Sequence, residues 1–117
     1  MTNTKINVEE TNLEDLILLG EDKHIPIIIE FPNGETTIKA KALIKQLTLK
    51  EMDKINLNRN DPWKMNIEIL RIALLKTNGG NFTKDELLAL PVGVVNVVSE
   101  EIMKISGVNV DQELRNF

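Results

Sequence analysis

The side chains that could carry out chemistry are few in this 117-residue chain. It has one histidine, His24, and two serines, Ser99 and Ser106, but no cysteine and no tyrosine. A nucleophilic hydroxyl needs a base beside it, usually a histidine that a third group orients. His24 ends the polar segment EDKH, which has the composition of a solvated linker, so we expect an ordinary surface residue. The sequence therefore predicts no catalytic residues.

Pairs of acidic residues are the next candidates for chemistry, at 9–10, 14–15, 85–86 and 100–101. Adjacent residues on a helix point in different directions, so none of these pairs predicts a carboxylate dyad. The pairs 14–15 and 85–86 fall in first turns of expected helices, where acids complement the helix dipole. No HExxH, EF-hand or phosphate-loop segment is present, so we expect neither metal nor cofactor. An enzyme would need a pocket converging on His24 or on one of these pairs.

Charge and composition limit the classes of partner. The formal net charge of −4 and the pI of about 5.0 argue against nucleic-acid binding. The lysines between 39 and 54 have no aromatic residues among them on which bases could stack. The apolar runs are too short to cross a membrane, and the first ten residues lack the apolar segment of a signal peptide. We therefore expect neither a nucleic acid nor a membrane as partner.

A β-hairpin is expected in the N-terminal third. Residues 25–31 are rich in isoleucine, and residues 36–42 alternate between apolar and polar types. Asn33 and Gly34 lie between these two segments and suit a tight turn. Pro26 predicts either that the first strand lies at the edge of a sheet or that the strand begins at this proline.

The rest of the chain reads as helical. Capping boxes at 48–51 and 83–86 predict helices through 55 and 89, and a longer helix is expected over 63–76. Pro91 suits the first turn of a last helix. Apolar residues recur at three- and four-residue steps along it and form its inner face: Val94, Val95, Val98, Ile102 and Ile105. Residues 99–101 would lie on the other side. A short leucine-rich helix over 13–19 must dock, either on this domain or on a partner.

These segments predict an α+β fold that is mainly α. We expect an N-terminal β-hairpin packed on a small bundle of about four to five helices. Residues 12–108 would form a single α+β domain, preceded by a flexible arm at 1–11 and followed by a flexible tail at 109–117.

The order of the segments resembles one protein family. TIKAK at 37–41 leads into LTLKEM at 47–52, and the long aliphatic helix of 63–76 follows. FTKDELLALP at 82–91 and IMKISGV at 102–108 complete the succession. Over residues 36–108 it resembles the tail assembly chaperones of tailed phages and prophages.

The resemblance implies a non-enzymatic protein of the host cell cytoplasm that binds the tape measure protein and keeps it soluble. The tail tube protein would be a second partner, because such chaperones help its subunits to polymerise around the tape measure. Many members also exist in a longer form that is made by a frameshift, so such a form of this chain is a further expected partner. A homo-oligomer of this chain is also compatible with the resemblance. The family has no catalytic residues.

The expected mode of binding is burial of client helices against exposed aliphatic faces. Apolar positions in the weakly anchored parts of the chain are the candidate contacts: Leu16, Leu19, Trp63 and Phe117. Trp63 would be either an interface anchor or a lid on the core. The alternative function is a structural virion subunit of the tail or head–tail connector, which would form a stable ring or tube present in mature particles.

Overall fold

A computed structural model describes residue 10, residues 12–17 and residues 24–108. Most of the expected arm at 1–11, the expected tail at 109–117 and the end of the expected helix at 13–19 lie outside the described residues. The elements are a 3-10 helix (Leu13–Ile17), β1 (Ile25–Asn33), β2 (Thr36–Ile44), α1 (Leu49–Asn56), α2 (Pro62–Ala73), β3 (Leu74–Leu75), α3 (Lys84–Leu88) and α4 (Val92–Ile105). The described residues thus form a three-stranded antiparallel sheet and four α-helices, which confirms the α+β class.

The hairpin forms as the sequence predicts. β1 and β2 pair antiparallel from Asn33 opposite Thr36 to Ile25 opposite Ile44. A two-residue turn joins them, and its Gly34 has a φ of 66°, a left-handed conformation that disfavours side chains with a Cβ. β1 lies at the edge of the sheet, in agreement with Pro26.

The end of the long helix differs from the expectation. The sequence predicts a helix to Lys76, but α2 ends at Ala73 and the next two residues form β3. Leu74 has the extended angles φ −102° and ψ 132°, and β3 pairs with Leu43 and Ile44 of β2. Both leucines of β3 are buried. A third strand therefore forms here because pairing with β2 outweighs the local helical pattern.

One hydrophobic core joins the sheet to the helices. Helix α4 packs against β1 and α2, while α1 and α3 pack on α2. The buried members are Ile29, Ala42, Ile44, Ile55, Ile69, Leu70, Ala73, Leu74, Leu87, Val94, Val95, Val98, Ile102 and Met103. No helix in the described ranges is long and apolar enough to cross a membrane.

Helix α4 carries two differences in detail from the sequence prediction. Pro91 is the residue before the helix rather than within its first turn, and its carbonyl accepts hydrogen bonds from Val94 N and Val95 N. Ser99 was expected on the outer side but is buried, with 5% of its surface exposed. It lies one turn after Val95 and next to Val98, so it falls within the apolar face.

Candidate functional site: an apolar groove between α2 and α3

An open groove of about 510 Å³ lies between the first half of α2 and the short helix α3. Its apolar wall is formed by Trp63, Ile67 and Leu88, and its polar rim by Asn58, Lys64, Glu68 and Lys84. Large apolar side chains that converge on a concave surface are typical of binding sites. The groove is therefore the candidate functional site.

The start of α2 places Trp63 on this wall. Asp61 caps the helix, and its Oδ1 accepts a hydrogen bond from Lys64 N at 3.2 Å. Pro62 occupies the first helical position, where its missing N–H has no cost. Trp63 then projects from the first turn and remains 54% exposed, outside the core cluster. Trp63 therefore does not form a lid on the core, and its role as an interface anchor stays a prediction.

Helix α3 contributes Leu88 to the apolar wall of the groove. A capping box begins the helix: Thr83 Oγ1 accepts from Glu86 N at 3.1 Å, and Glu86 Oε1 accepts from Thr83 N at 2.9 Å. Leu87 is fully buried and fixes the helix to the core. The next residue, Leu88, points away from the core and is 60% exposed at the groove.

The loop before α3 is held by a second set of contacts. Lys76 Nζ lies 3.0 Å from a Glu86 carboxylate oxygen and 5.5 Å from the centre of the Phe82 ring. Hydrogen bonds from Thr83 and Lys76 to the Glu86 carboxylate lower the pKa of Glu86. The capping carboxylate therefore stays charged at neutral pH and keeps α3, and with it Leu88, in place.

Glu68 on the charged rim of the groove is held in an ion pair with Arg71. Arg71 Nε donates to Glu68 Oε2 at 3.1 Å, and the second guanidinium nitrogen, Nη2, contacts Oε1. These hydrogen bonds lower the pKa of Glu68 and raise that of Arg71. Glu68 is therefore a paired anion rather than a proton acceptor. Lys64 and Lys84 outnumber it, so the rim is mildly basic.

The positions of the histidine and of possible metal ligands bear on enzymatic chemistry. His24 is exposed immediately before β1 and does not line this groove. Within residues 10, 12–17 and 24–108, no group of three or more His, Cys, Asp or Glu side chains could hold a metal ion. What the groove can do is bind apolar side chains against Trp63 and Leu88.

Two of the four predicted contact residues are described, and one of them lies in this groove. Trp63 forms its wall, whereas Leu16 lies in the 3-10 helix, 44% exposed, and does not line it. Leu19 and Phe117 are outside the described residues. The sequence interpretation missed Ile67 and Leu88, because nothing in their residue type separates them from core positions.

Comparison with protein-family models, with curated proteins and with solved structures finds no match for this chain.

Proposed function

We propose that this chain is a non-enzymatic tail assembly chaperone of a tailed phage or prophage, which acts in the cytoplasm of the host cell. Its client would be the tape measure protein, held through apolar helices at the groove between α2 and α3. One observation carries the proposal: Trp63 and Leu88, each more than half exposed, face one concave surface on otherwise well-packed helices. The succession of segments over 36–108 supports the choice of family.

A client helix would bind by covering this wall with one apolar stripe. Residues at three- and four-residue steps of such a helix share a face, so they could contact Trp63, Ile67 and Leu88 together. Burying apolar surface contributes about 25 cal/mol per Å², so covering roughly 100 Å² yields about 2.5 kcal/mol before the entropy of association is subtracted. Lys64 and Lys84 at the rim favour acidic residues beside that stripe.

The further partners follow from the same proposal. A chaperone that holds the tape measure protein would deliver it to tail tube subunits, either alone or with a frameshifted longer form of itself. The hairpin, α1 and α4 serve as the scaffold that keeps the groove in shape. Weak contacts at an open groove fit a client that must be released when the tube assembles around it.

The test combines capture with targeted variants. Tagged protein is recovered from cells producing the parent phage, and the bound proteins are identified beside purified particles by mass spectrometry. We expect the tape measure protein in the captured fraction and this chain to be absent from particles. A chain stoichiometric in particles would instead support the structural subunit of the tail or head–tail connector.

Trp63→Ala measures the part played by the groove. Truncating a central aromatic anchor typically weakens an interface by about 2 kcal/mol or more, which is roughly 30-fold in affinity. The matched control is Leu49→Ala, because Leu49 is also a strongly exposed apolar residue but does not line the groove. Equal client affinity of both variants, measured by titration with a tape-measure segment, would exclude the groove as the binding site.

A further inference from the structure

The outer edge of β1 has no partner strand among the described residues. The sheet order is β1-β2-β3, so one edge of β1 pairs with β2 and the other faces outward. Pro26 lies opposite Leu43 and Pro32 opposite Thr37. Proline has no N–H, so both are non-hydrogen-bonded positions, and such positions alternate along an antiparallel pair.

This alternation identifies the backbone N–H and C=O groups of β1 that could pair with an added strand. Ile28 and Glu30 share the parity of the two prolines, so their N–H and C=O groups point away from β2. The prolines on either side remove the next donors along the edge. The edge can therefore pair with a short extended segment but cannot support open-ended growth of the sheet.

A second groove, of about 410 Å³, runs along this edge between residues 27–30 of β1 and helix α4. Its helical wall is formed by Val97, Glu100, Glu101 and Lys104. Val97 on the helix is 46% exposed, and Ile28, whose side chain lies on the face of the sheet opposite α4, is 62% exposed, so apolar surface is exposed on both faces beside this edge.

The charge of this groove is acidic. Glu30, Glu100 and Glu101 line it against a single lysine, Lys104. The carboxylate of Glu30 also lies 3.6 Å from Lys39 Nζ on β2, with both side chains largely exposed, so its charge is partly offset. The two glutamates of α4 form no ion pair with another described residue. A basic ligand would therefore be complementary to the helical wall.

We propose that this edge binds an extended segment of a partner protein that carries apolar and basic side chains. The segment pairs with β1 through the backbone groups of Ile28 and Glu30 and becomes a fourth strand. Its apolar side chains lie on the face of Ile28, and its lysines or arginines, on the opposite face, reach the glutamates of α4. Strand addition of this kind takes affinity from the backbone and specificity from alternate side chains.

Charge favours this occupant over a second copy of the chain. Pairing β1 with β1 of another copy around a two-fold axis would bring the same residues of both copies together. Glu30, Glu100 and Glu101 of one chain would then approach those of the other, and like charges across strands are destabilising. The surface shares no lining residue with the groove at Trp63, so this inference does not rest on the function proposed above.

The test uses the full chain and a capped synthetic peptide of alternating lysine and valine as the probe. Amide hydrogen exchange is followed by NMR with and without millimolar peptide. We expect the peptide to protect the amides of Ile28 and Glu30 selectively. The same peptide with every backbone amide N-methylated should give no protection, because it has no donors and its methyl groups block close pairing at either edge.

Two protein variants test the role of the charge. Glu100→Lys should weaken peptide binding roughly ten-fold, since an attraction becomes a repulsion. Asp53→Lys makes the same change of charge on the exposed surface of α1, outside this groove, and should alter affinity less than two-fold. Trp63→Ala should bind the probe like the unchanged protein, which separates this test from that of the other groove.

Several results would overturn the proposal. Protection of the Ile28 and Glu30 amides in the free protein at every concentration would mean that the chain covers its own edge. Protection that grows with protein concentration would mean that a second copy does. Absence of protection at millimolar peptide, or equal binding of the N-methylated peptide, would leave only general attraction between charges.

Discussion

The two serines of the chain should respond in opposite ways to the same substitution. Both belong to α4 or its end, but their hydroxyl groups have different surroundings. Ser99 is buried within the apolar face, and its Oγ has no hydrogen-bond partner among the described residues. Ser106 Oγ accepts from Leu47 N at 2.8 Å and donates to Ile102 O at 2.6 Å. Ser99→Ala should therefore stabilise the protein, and Ser106→Ala should destabilise it.

The magnitudes follow from the hydrogen bonds. Removing an unpaired buried hydroxyl relieves about 1–2 kcal/mol, and alanine adds about 0.5 kcal/mol of helix propensity. Against this stands the small void left by one oxygen atom, so we expect a net gain of about 1–2 kcal/mol for Ser99→Ala. Ser106→Ala leaves Leu47 N–H without its acceptor, whereas Ile102 O keeps Ser106 N at 3.0 Å. Its cost should be about 1 kcal/mol.

Urea unfolding and thermal unfolding of the two variants and the unchanged protein measure this difference. Far-UV circular dichroism and Trp63 fluorescence report secondary and tertiary structure, and coincident curves would support a two-state analysis. At about 4 °C per kcal/mol, the melting temperatures of the variants should differ by roughly 10 °C. A loss of stability in Ser99→Ala comparable to that in Ser106→Ala would refute the reasoning, because it would show that the Ser99 hydroxyl makes a stabilising contact.

Two further predictions concern the hairpin and the start of α1. Burial raises the pKa of Glu51, but hydrogen bonds from Lys45 at 2.6 Å and from Thr48 outweigh it, so the pKa is lowered from its ordinary 4.5. The carboxylate contributes stability above the pKa that it has in the unfolded chain, and this stability is lost as the pH falls through its pKa in the folded protein. The free energy of unfolding should therefore decrease less steeply with falling pH in Glu51→Gln than in the unchanged protein. Gly34→Ala should cost about 1 kcal/mol in thermal unfolding, since its φ of 66° is strained for a residue with a Cβ although no atom lies within 4 Å of that position. Gly34→Asn should cost less because asparagine tolerates this conformation, and equal losses in both variants would contradict the explanation.

Local signals predicted the parts of the fold that local physics decides. The two capping boxes form with both of their hydrogen bonds, at Thr48–Glu51 and at Thr83–Glu86. The hairpin and the glycine at its turn lie where the alternation and the turn residues place them. The capping groups are three residues apart, and the hairpin joins neighbouring segments through a two-residue turn, so the sequence itself carries the information.

The third strand could not be predicted in this way. Leu74 and Leu75 continue the apolar stripe of α2, and leucine is a good helix former. Their strand conformation depends on pairing with Leu43 and Ile44, and on the hydrogen bond from Lys45 N to Ala73 O at 3.0 Å. These partners lie about thirty residues away along the chain, beyond any window of local periodicity.

Part of the candidate groove was within reach of the sequence. The hydrophobic residue before a helix cap often packs against the fourth helical residue, which for α3 pairs Phe82 with Leu87. Applied at this capping box, that rule assigns Leu87 to the core and leaves Leu88 outside, as the structure has them. Trp63 was selected by residue type alone. Its convergence with Leu88 depends on how α3 packs on α2, which no local rule supplies.

The exposure of apolar side chains does not by itself distinguish the two proposed binding surfaces from the rest of the protein surface. Leu49 and Leu57 are each more exposed than Trp63, and single exposed leucines are normal on proteins. The groove at Trp63 stands out because three apolar side chains converge there, so truncating one of them should weaken client binding. The edge of β1 stands out because the backbone groups of Ile28 and Glu30 face outward and no described strand pairs with them, so a ligand without matching backbone groups should fail there. A partner that binds both surfaces would need a helix for one and an extended segment for the other.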